Sequence, residues 1–206
     1  MAYRSCLDEN RSPVVVDTSV VINLSATGCA GAILQSLPNR CVVVENVWRE
    51  LQAGMRSGRG DAAALSALVD QRLVGQAQLG DTGLSDFASL VSGRATETLD
   101  DGEAATIACA VEMDAIAVID ERKAVRICAE RYPNLTLGCT VDLLAQRNVQ
   151  AVLGHGLADA VFNALDRGRM HVPEQYGRWV VDLIGEERAA GCRSLPKRFR
   201  RGRLPH

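Results

Sequence analysis

Apolar residues recur along this chain in two patterns. Unbroken short runs occur at Val14-Val15-Val16, Cys41-Val42-Val43-Val44, residues 115–119 and Leu135-Thr136-Leu137. Such runs fit strands buried on both faces, as in parallel sheets. Between them the spacing becomes helical, most clearly at Ala104, Ile107, Ala108 and Val111 of a helix opening on Asp101-Gly102-Glu103. Helices are also predicted over residues 20–37 with a break at Gly28, and over 47–55, 61–70, 84–90, 121–131, 141–147, 157–165 and 175–187. Ser57-Gly58-Arg59-Gly60 separates two of these, and Pro133 ends another. Residues 73–79 fit either an extra strand or a loop.

Short buried strands alternating with helices predict an α/β protein with a central parallel sheet and right-handed crossovers. The expected architecture has three α/β/α layers with additional C-terminal helices. Residues 13–150 are the core, 151–187 a helical extension packed on it, and 188–206 a basic, flexible tail.

Composition narrows the class. The 206 residues suffice for one well-cored α/β domain. With 47% hydrophobic and 23% charged residues the chain reads as globular rather than disordered. No apolar run approaches the roughly 18 residues of a membrane helix. The first ten residues hold no hydrophobic stretch, so a cytoplasmic protein with no membrane partner is expected. The seven cysteines never form a C-x-x-C pair and mostly sit among Val, Ile and Ala, which suits reduced core thiols better than a zinc site. Charge is uneven: seven Lys/Arg and no acid follow from Arg188 onward, leaving −9 on residues 1–187 against −2 overall. That tail suits either a polyanion contact or a solvated end.

Acids fall where an α/β sheet binds ligands, beyond the carboxyl ends of its strands. Asp17 follows the first strand, and Asp120 with Glu121 follows the third. Glu50 lies about two turns beyond the second strand, and Glu103 opens the helix that feeds the third. Carboxylates brought together repel unless a cation neutralises them. Mg²⁺ or Mn²⁺ does so with oxygen ligands, and a bound water of lowered pKa can attack a phosphodiester. Each acid alone has a plainer explanation: Asp17, Asp100 or Asp101, and Asp120 are favoured helix caps, and a lone Glu50 is ordinarily solvated. Their joint placement favours the site.

At these residues the sequence resembles the PIN-domain family. Val-Val-Val-Asp17-Thr18-Ser19, with Asn23 four residues beyond Ser19, is similar to the family's first motif. Val44-Glu45-Asn46-Val47-Trp48-Arg49-Glu50 resembles the second. Leu99-Asp100-Asp101-Gly102-Glu103-Ala104 resembles the L-D-x-G-E-A helix of one branch, and Ile119-Asp120-Glu121-Arg122-Lys123-Ala124-Val125-Arg126 its D-D-x-x-x-R segment. The likeness spans residues 13–187. It departs at Glu121, where the branch usually has Asp, and at Asn46, where proline is frequent.

The resemblance implies Mg²⁺- or Mn²⁺-dependent ribonuclease chemistry with Asp17, Glu50, Glu103 and Asp120 as the acidic set. The metal would be held by Asp17, Glu103 and either Asp120 or Glu121. Ser19 would orient Asp17 or a bound water, and Thr18 and Asn23 would support the first turn. Arg122, Lys123 and Arg126 are candidate RNA contacts, as are the tail residues Arg193, Arg198, Arg200, Arg201 and Arg203; salt pairing on a solvated face is their plainer role. Many bacterial relatives are toxins, usually homodimers blocked by a small antitoxin protein. Two other functions compete: a catalytically silent PIN-like module binding RNA or protein, and a haloacid dehalogenase-type phosphatase. The phosphatase pattern needs a second Asp at the position of Ser19. No G-x-G-x-x-G follows the first strand, which disfavours a dinucleotide-binding domain.

Overall fold

The computed structural model describes residues 5–55 and 61–200. The predicted break at Ser57-Gly58-Arg59-Gly60 and the tail residues Arg201 and Arg203 lie outside the described residues. The chain runs β1 (Val14–Val16), α1 (Thr18–Ala26), α2 (Ala30–Ser36), β2 (Cys41–Val44), α3 (Glu45–Met55), α4 (Asp61–Asp70), β3 (Val74–Ala77), α5 (Asp81–Val91) and α6 (Asp101–Glu112). It continues with β4 (Ile116–Val118), α7 (Arg122–Arg131), β5 (Leu137–Gly138), α8 (Thr140–Ala145), α9 (Arg147–Leu153), α10 (Leu157–Asp166), α11 (Gly177–Ile184), α12 (Glu186–Gly191) and α13 (Lys197–Arg200).

The five strands form one parallel sheet in the order β3-β2-β1-β4-β5. Alternate side chains of the buried runs serve opposite layers, as strand geometry requires. Val14, Val16, Val43, Ile116 and Val118 pack with α1 to α4 and the C-terminal helices. Val15, Val44, Ala117 and Ile119 pack with α5, α6 and α7. This is the expected three-layer α/β/α fold. Helix α6 is buried continuously from Gly102 to Ala110, and its small Ala and Gly residues let it lie close to the sheet.

The break expected at Gly28 is present: the segment forms two helices meeting at 113°, with Gly28 at φ +76° between them. Among the described residues no single helix is long and apolar enough to cross a membrane. Several other elements differ from the sequence prediction for identifiable reasons. Residues 74–77 form the edge strand. Helix α5 starts before Leu84 because the Glu112 carboxylate accepts the Gly80 and Gly83 amides at 2.9 and 3.1 Å. The strand expected at 135–137 forms only at Leu137–Gly138, since the Leu135 amide donates to the Tyr132 carbonyl and closes a turn.

Helix α9 was not foreseen. Gln146, with ψ 136°, ends α8, and its side chain accepts the Asn148 and Val149 amides to start the next helix. Within residues 188–200 the apolar Cys192 and Leu195 are buried, while the basic Arg188, Arg193, Lys197 and Arg198 are exposed, Arg198 pairing with Glu174 at 3.0 Å. All seven cysteines are free.

Candidate active site

The strand order reverses between β1 and β4, the place where α/β sheets open a crevice at their carboxyl ends. The Asp17 amide donates to the Val118 carbonyl at 3.2 Å, which joins the two strand ends at that point. Asp17 caps α1: its Oδ2 accepts the Ser19 amide at 3.2 Å and the Ser19 hydroxyl at 2.8 Å. The cap expected from sequence is therefore present. Asp17 is also 4% exposed, and burial pushes its pKa up against those two donors.

Glu50 is carried inward by α3. Its Oε2 accepts the Thr18 hydroxyl at 2.5 Å, and the carboxylate lies close against Gly102 at the start of α6. A Cβ at Gly102 would stand 2.6 Å from Glu50 Oε2, so only glycine leaves room for this approach. Burial raises the Glu50 pKa, and the charges of Asp100 and Asp17 add to it.

Glu103 lies one residue further along α6 and is 7% exposed. Burial, followed by the charges of Asp100, Asp17 and Glu121, pushes its pKa up to about 8. Asp100 caps α6 by accepting the Glu103 amide at 2.9 Å. Its charge also raises Asp17, Glu50 and Glu103, so it belongs to the cluster. Sequence reasoning weighed Asp100 only as a cap. The signal available was its D-x-x-E spacing, which obliges a capping residue and the acid three positions on to share one helix end.

Asp120 is held differently. Its Oδ1 accepts the Thr140 amide at 2.8 Å, and its Oδ2 accepts the Thr140 hydroxyl at 2.6 Å and Asn23 Nδ2 at 2.5 Å. Burial still raises its pKa against these donors. Asn23, 2% exposed, thus links α1 to the end of β4. Glu121 is exposed, caps α7 by accepting the Lys123 amide, and reaches Glu103 electrostatically. The following basic residues diverge. Arg122 Nε donates to His171 Nε2 at 3.1 Å, beside Asp120. Arg126 pairs with Glu130 and donates to the Thr96 carbonyl. The tail residue Arg198 stacks on Phe199 as well as pairing with Glu174.

A groove of about 700 Å³ adjoins the acids, with Ser19, Asn23, Asp120 and Glu121 in its wall. Asp61, Arg167, Gly168, Arg169 and His171 also line it. Burial and the Arg122 guanidinium lower the His171 pKa. The acids offer hard carboxylate oxygens, which suit a hard divalent cation. Among the described residues no three His, Cys, Asp or Glu side chains form a ready-made group for an ion. The fit to a cation lies in the accumulated charge: Asp17, Glu50 and Glu103 are each raised by a neighbouring carboxylate.

The family model described as a PIN domain matches residues 13–186. No curated protein and no solved structure matched the chain. The family match covers both strand-end acids, the α6 helix and the C-terminal helices through α11, and on that basis the chain belongs to the PIN-domain family.

Proposed function

We propose that the protein is a divalent-metal-dependent endoribonuclease, in the PIN branch with an L-D-x-G-E-A helix and a D-[DE]-x-x-x-R segment. PIN domains are generally nucleases and typically use divalent metal ions. The observation that carries the reading is the convergence of the acids. Asp17, Glu50, Asp100 and Glu103 come from three parts of the chain: Glu50 takes the hydroxyl of Thr18, next to Asp17, and lies against Gly102, while Asp100 caps the helix turn that bears Glu103. Acids that only capped helices have no need to converge, and like charges so placed destabilise the fold unless a cation joins them.

Asp17, Asp100, Glu103 and Glu121 are the carboxylates we assign to holding Mg²⁺ or Mn²⁺. Such an ion, when bound, neutralises the acids and activates water for phosphodiester hydrolysis. The chain's own residues set the frame. Ser19 fixes Asp17, Thr18 fixes Glu50 beside Gly102, and Asn23 with Thr140 fixes Asp120, whose neighbour Glu121 lines the groove. Burial, then the charges of Asp100, Asp17 and Glu121, push the Glu103 pKa up to about 8, which favours its protonated form near neutral pH when no cation is bound.

Cleavage of single-stranded RNA in Mn²⁺ by the wild type and by Asp17→Ala tests the reading. Loss of cleavage in the variant is expected, and equal activity overturns it. Calorimetric Mn²⁺ titration separates the enzyme from a silent RNA- or protein-binding module, which gives no binding heat. The finer role, a homodimeric cytoplasmic toxin blocked by a small antitoxin protein, is supported by the family resemblance alone. Co-expression with a small protein encoded next to its gene tests it: a stable complex and lost cleavage are expected, and the lack of such a gene or complex overturns it.

A further inference from the structure

Part of the groove lining is a turn that the proposed chemistry leaves unused. Helix α10 ends at Asp166, and Arg167, Gly168 and Arg169 follow it into the 700 Å³ groove. Arg167 and Arg169 are exposed, and among the described residues neither makes an ion pair. Arg188 and Arg198, on the same C-terminal extension, are paired with Asp159 and Glu174.

The turn is held rigidly. The Met170 amide donates to the Ala164 carbonyl at 2.9 Å, and Met170 and Val172 are fully buried behind it. Arg169 has φ +60°, a left-handed conformation that glycine ordinarily supplies at a helix end. The glycine stands one residue earlier instead. A Cβ at Gly168 would lie 2.5 Å from Asn23 Oδ1 and 2.7 Å from the Ala164 carbonyl oxygen. The turn is thus pressed on Asn23, whose Nδ2 holds Asp120 at 2.5 Å. The backbone that carries two unpaired guanidinium groups is thereby pressed on the residue that positions the acidic strand end.

An acidic crevice by itself repels RNA, and guanidinium groups on a neighbouring wall reverse that repulsion for the flanking phosphates. We propose that Arg167 and Arg169 form a subsite for the phosphates of single-stranded RNA flanking the bond to be cut. The nature of the ligand rests on the nuclease reading, whereas its binding is separable from cleavage. His171 and Arg122, joined at 3.1 Å, continue the same wall toward Asp120.

The test is fluorescence anisotropy of a labelled single-stranded RNA in EDTA, where no cleavage occurs, across a salt series. Arg167→Ala/Arg169→Ala is expected to bind about tenfold more weakly at low salt, with the slope of log K against log salt reduced by about 1.4, roughly 0.7 per phosphate contact in single strands. Arg167→Lys/Arg169→Lys should retain most of the slope. Arg178→Ala, which removes the partner of Asp182 on α11, should change neither quantity. Arg167 has ordinary right-handed dihedrals (φ −90°, ψ −44°), so Arg167→Ala alone carries the test if the double variant does not fold, with a slope change of about 0.7. Unchanged affinity and slope in the arginine variants overturn the subsite, even if the wild type cleaves RNA with Mn²⁺. An arginine-dependent slope in a protein that does not cleave supports the subsite while removing the nuclease reading. Failure of the wild type to bind RNA at all also overturns it.

Discussion

The Thr18 hydroxyl and Glu50 Oε2 lie 2.5 Å apart, although 32 residues separate them in the chain. Thr18 directly follows Asp17, so this bond ties an acid of α3 to the turn that presents the strand-end acid. The same Glu50 carboxylate lies against Gly102, which adds α6 to the junction. Three elements therefore meet on one carboxylate, and Glu103 is positioned one residue beyond it.

Gly102→Ala should separate stability from activity. The new Cβ would meet the Glu50 carboxylate at 2.6 Å, the end of a flexible side chain that can swing away. Alanine also favours a helix over glycine by about 1 kcal/mol, which offsets the cost of displacing the Glu50 carboxylate. We expect a Tm within about 3 °C of wild type and RNA cleavage reduced roughly tenfold or more, about 1.4 kcal/mol of lost transition-state stabilisation. Thermal melts and initial rates decide the matter. A variant with full activity would remove Glu50 from the site.

The acids also predict how stability varies with pH. Glu103 has a pKa of about 8 in the folded chain against an ordinary 4.5, so the folded state binds more protons between those values. Stability should therefore fall as pH rises from about 4.5 to 8 in EDTA. Asp17 and Glu50 are raised as well and tilt the curve in the same direction. Glu103→Gln should flatten the slope and raise the Tm at pH 8 by about 2–4 °C, or roughly 1 kcal/mol after solvent screening. Mn²⁺ should stabilise the wild type more at pH 8 than at pH 6, because it competes with the proton. An unaltered slope in Glu103→Gln counts against this assignment.

The core strands were legible because β-branched runs have few other uses. Val14–Val16 and Cys41–Val44 appear where their composition predicts them. Elements governed by distant side chains were not legible. The start of α5 depends on Glu112, and α9 depends on the self-capping of Gln146, neither of which shows in hydrophobic periodicity. The geometry of the candidate site was only partly readable. Residue spacing brought Asp17, Glu103 and Asp120 to one sheet edge, but it could not show that Thr140 and Asn23 occupy Asp120. Asp100 was read as a cap because capping and electrostatic membership of the cluster share one residue. The basic turn at Arg167 and Arg169 was missed because its value comes from packing on Asn23, far away in sequence.

Asp17 and Asp120 end neighbouring strands, yet they should respond differently to substitution. Asp120 satisfies the Thr140 amide, the Thr140 hydroxyl and the Asn23 amide, with Thr140 fully buried and Asn23 2% exposed. Asp120→Ala leaves those donors without an acceptor, a cost of roughly 2–4 kcal/mol by the usual penalty for unsatisfied buried groups. Asp17→Asn keeps an oxygen for the Ser19 amide and hydroxyl and removes a charge that burial and Asp100 oppose. Its stability in EDTA should equal or exceed that of the wild type, while its cleavage rate falls by about 100-fold or more. Urea denaturation of both variants, alongside cleavage in Mn²⁺, distinguishes the roles. Equal losses of stability would mean that the hydrogen bonds around Asp120 contribute little, and the two acids would have to be treated as equivalent ligands.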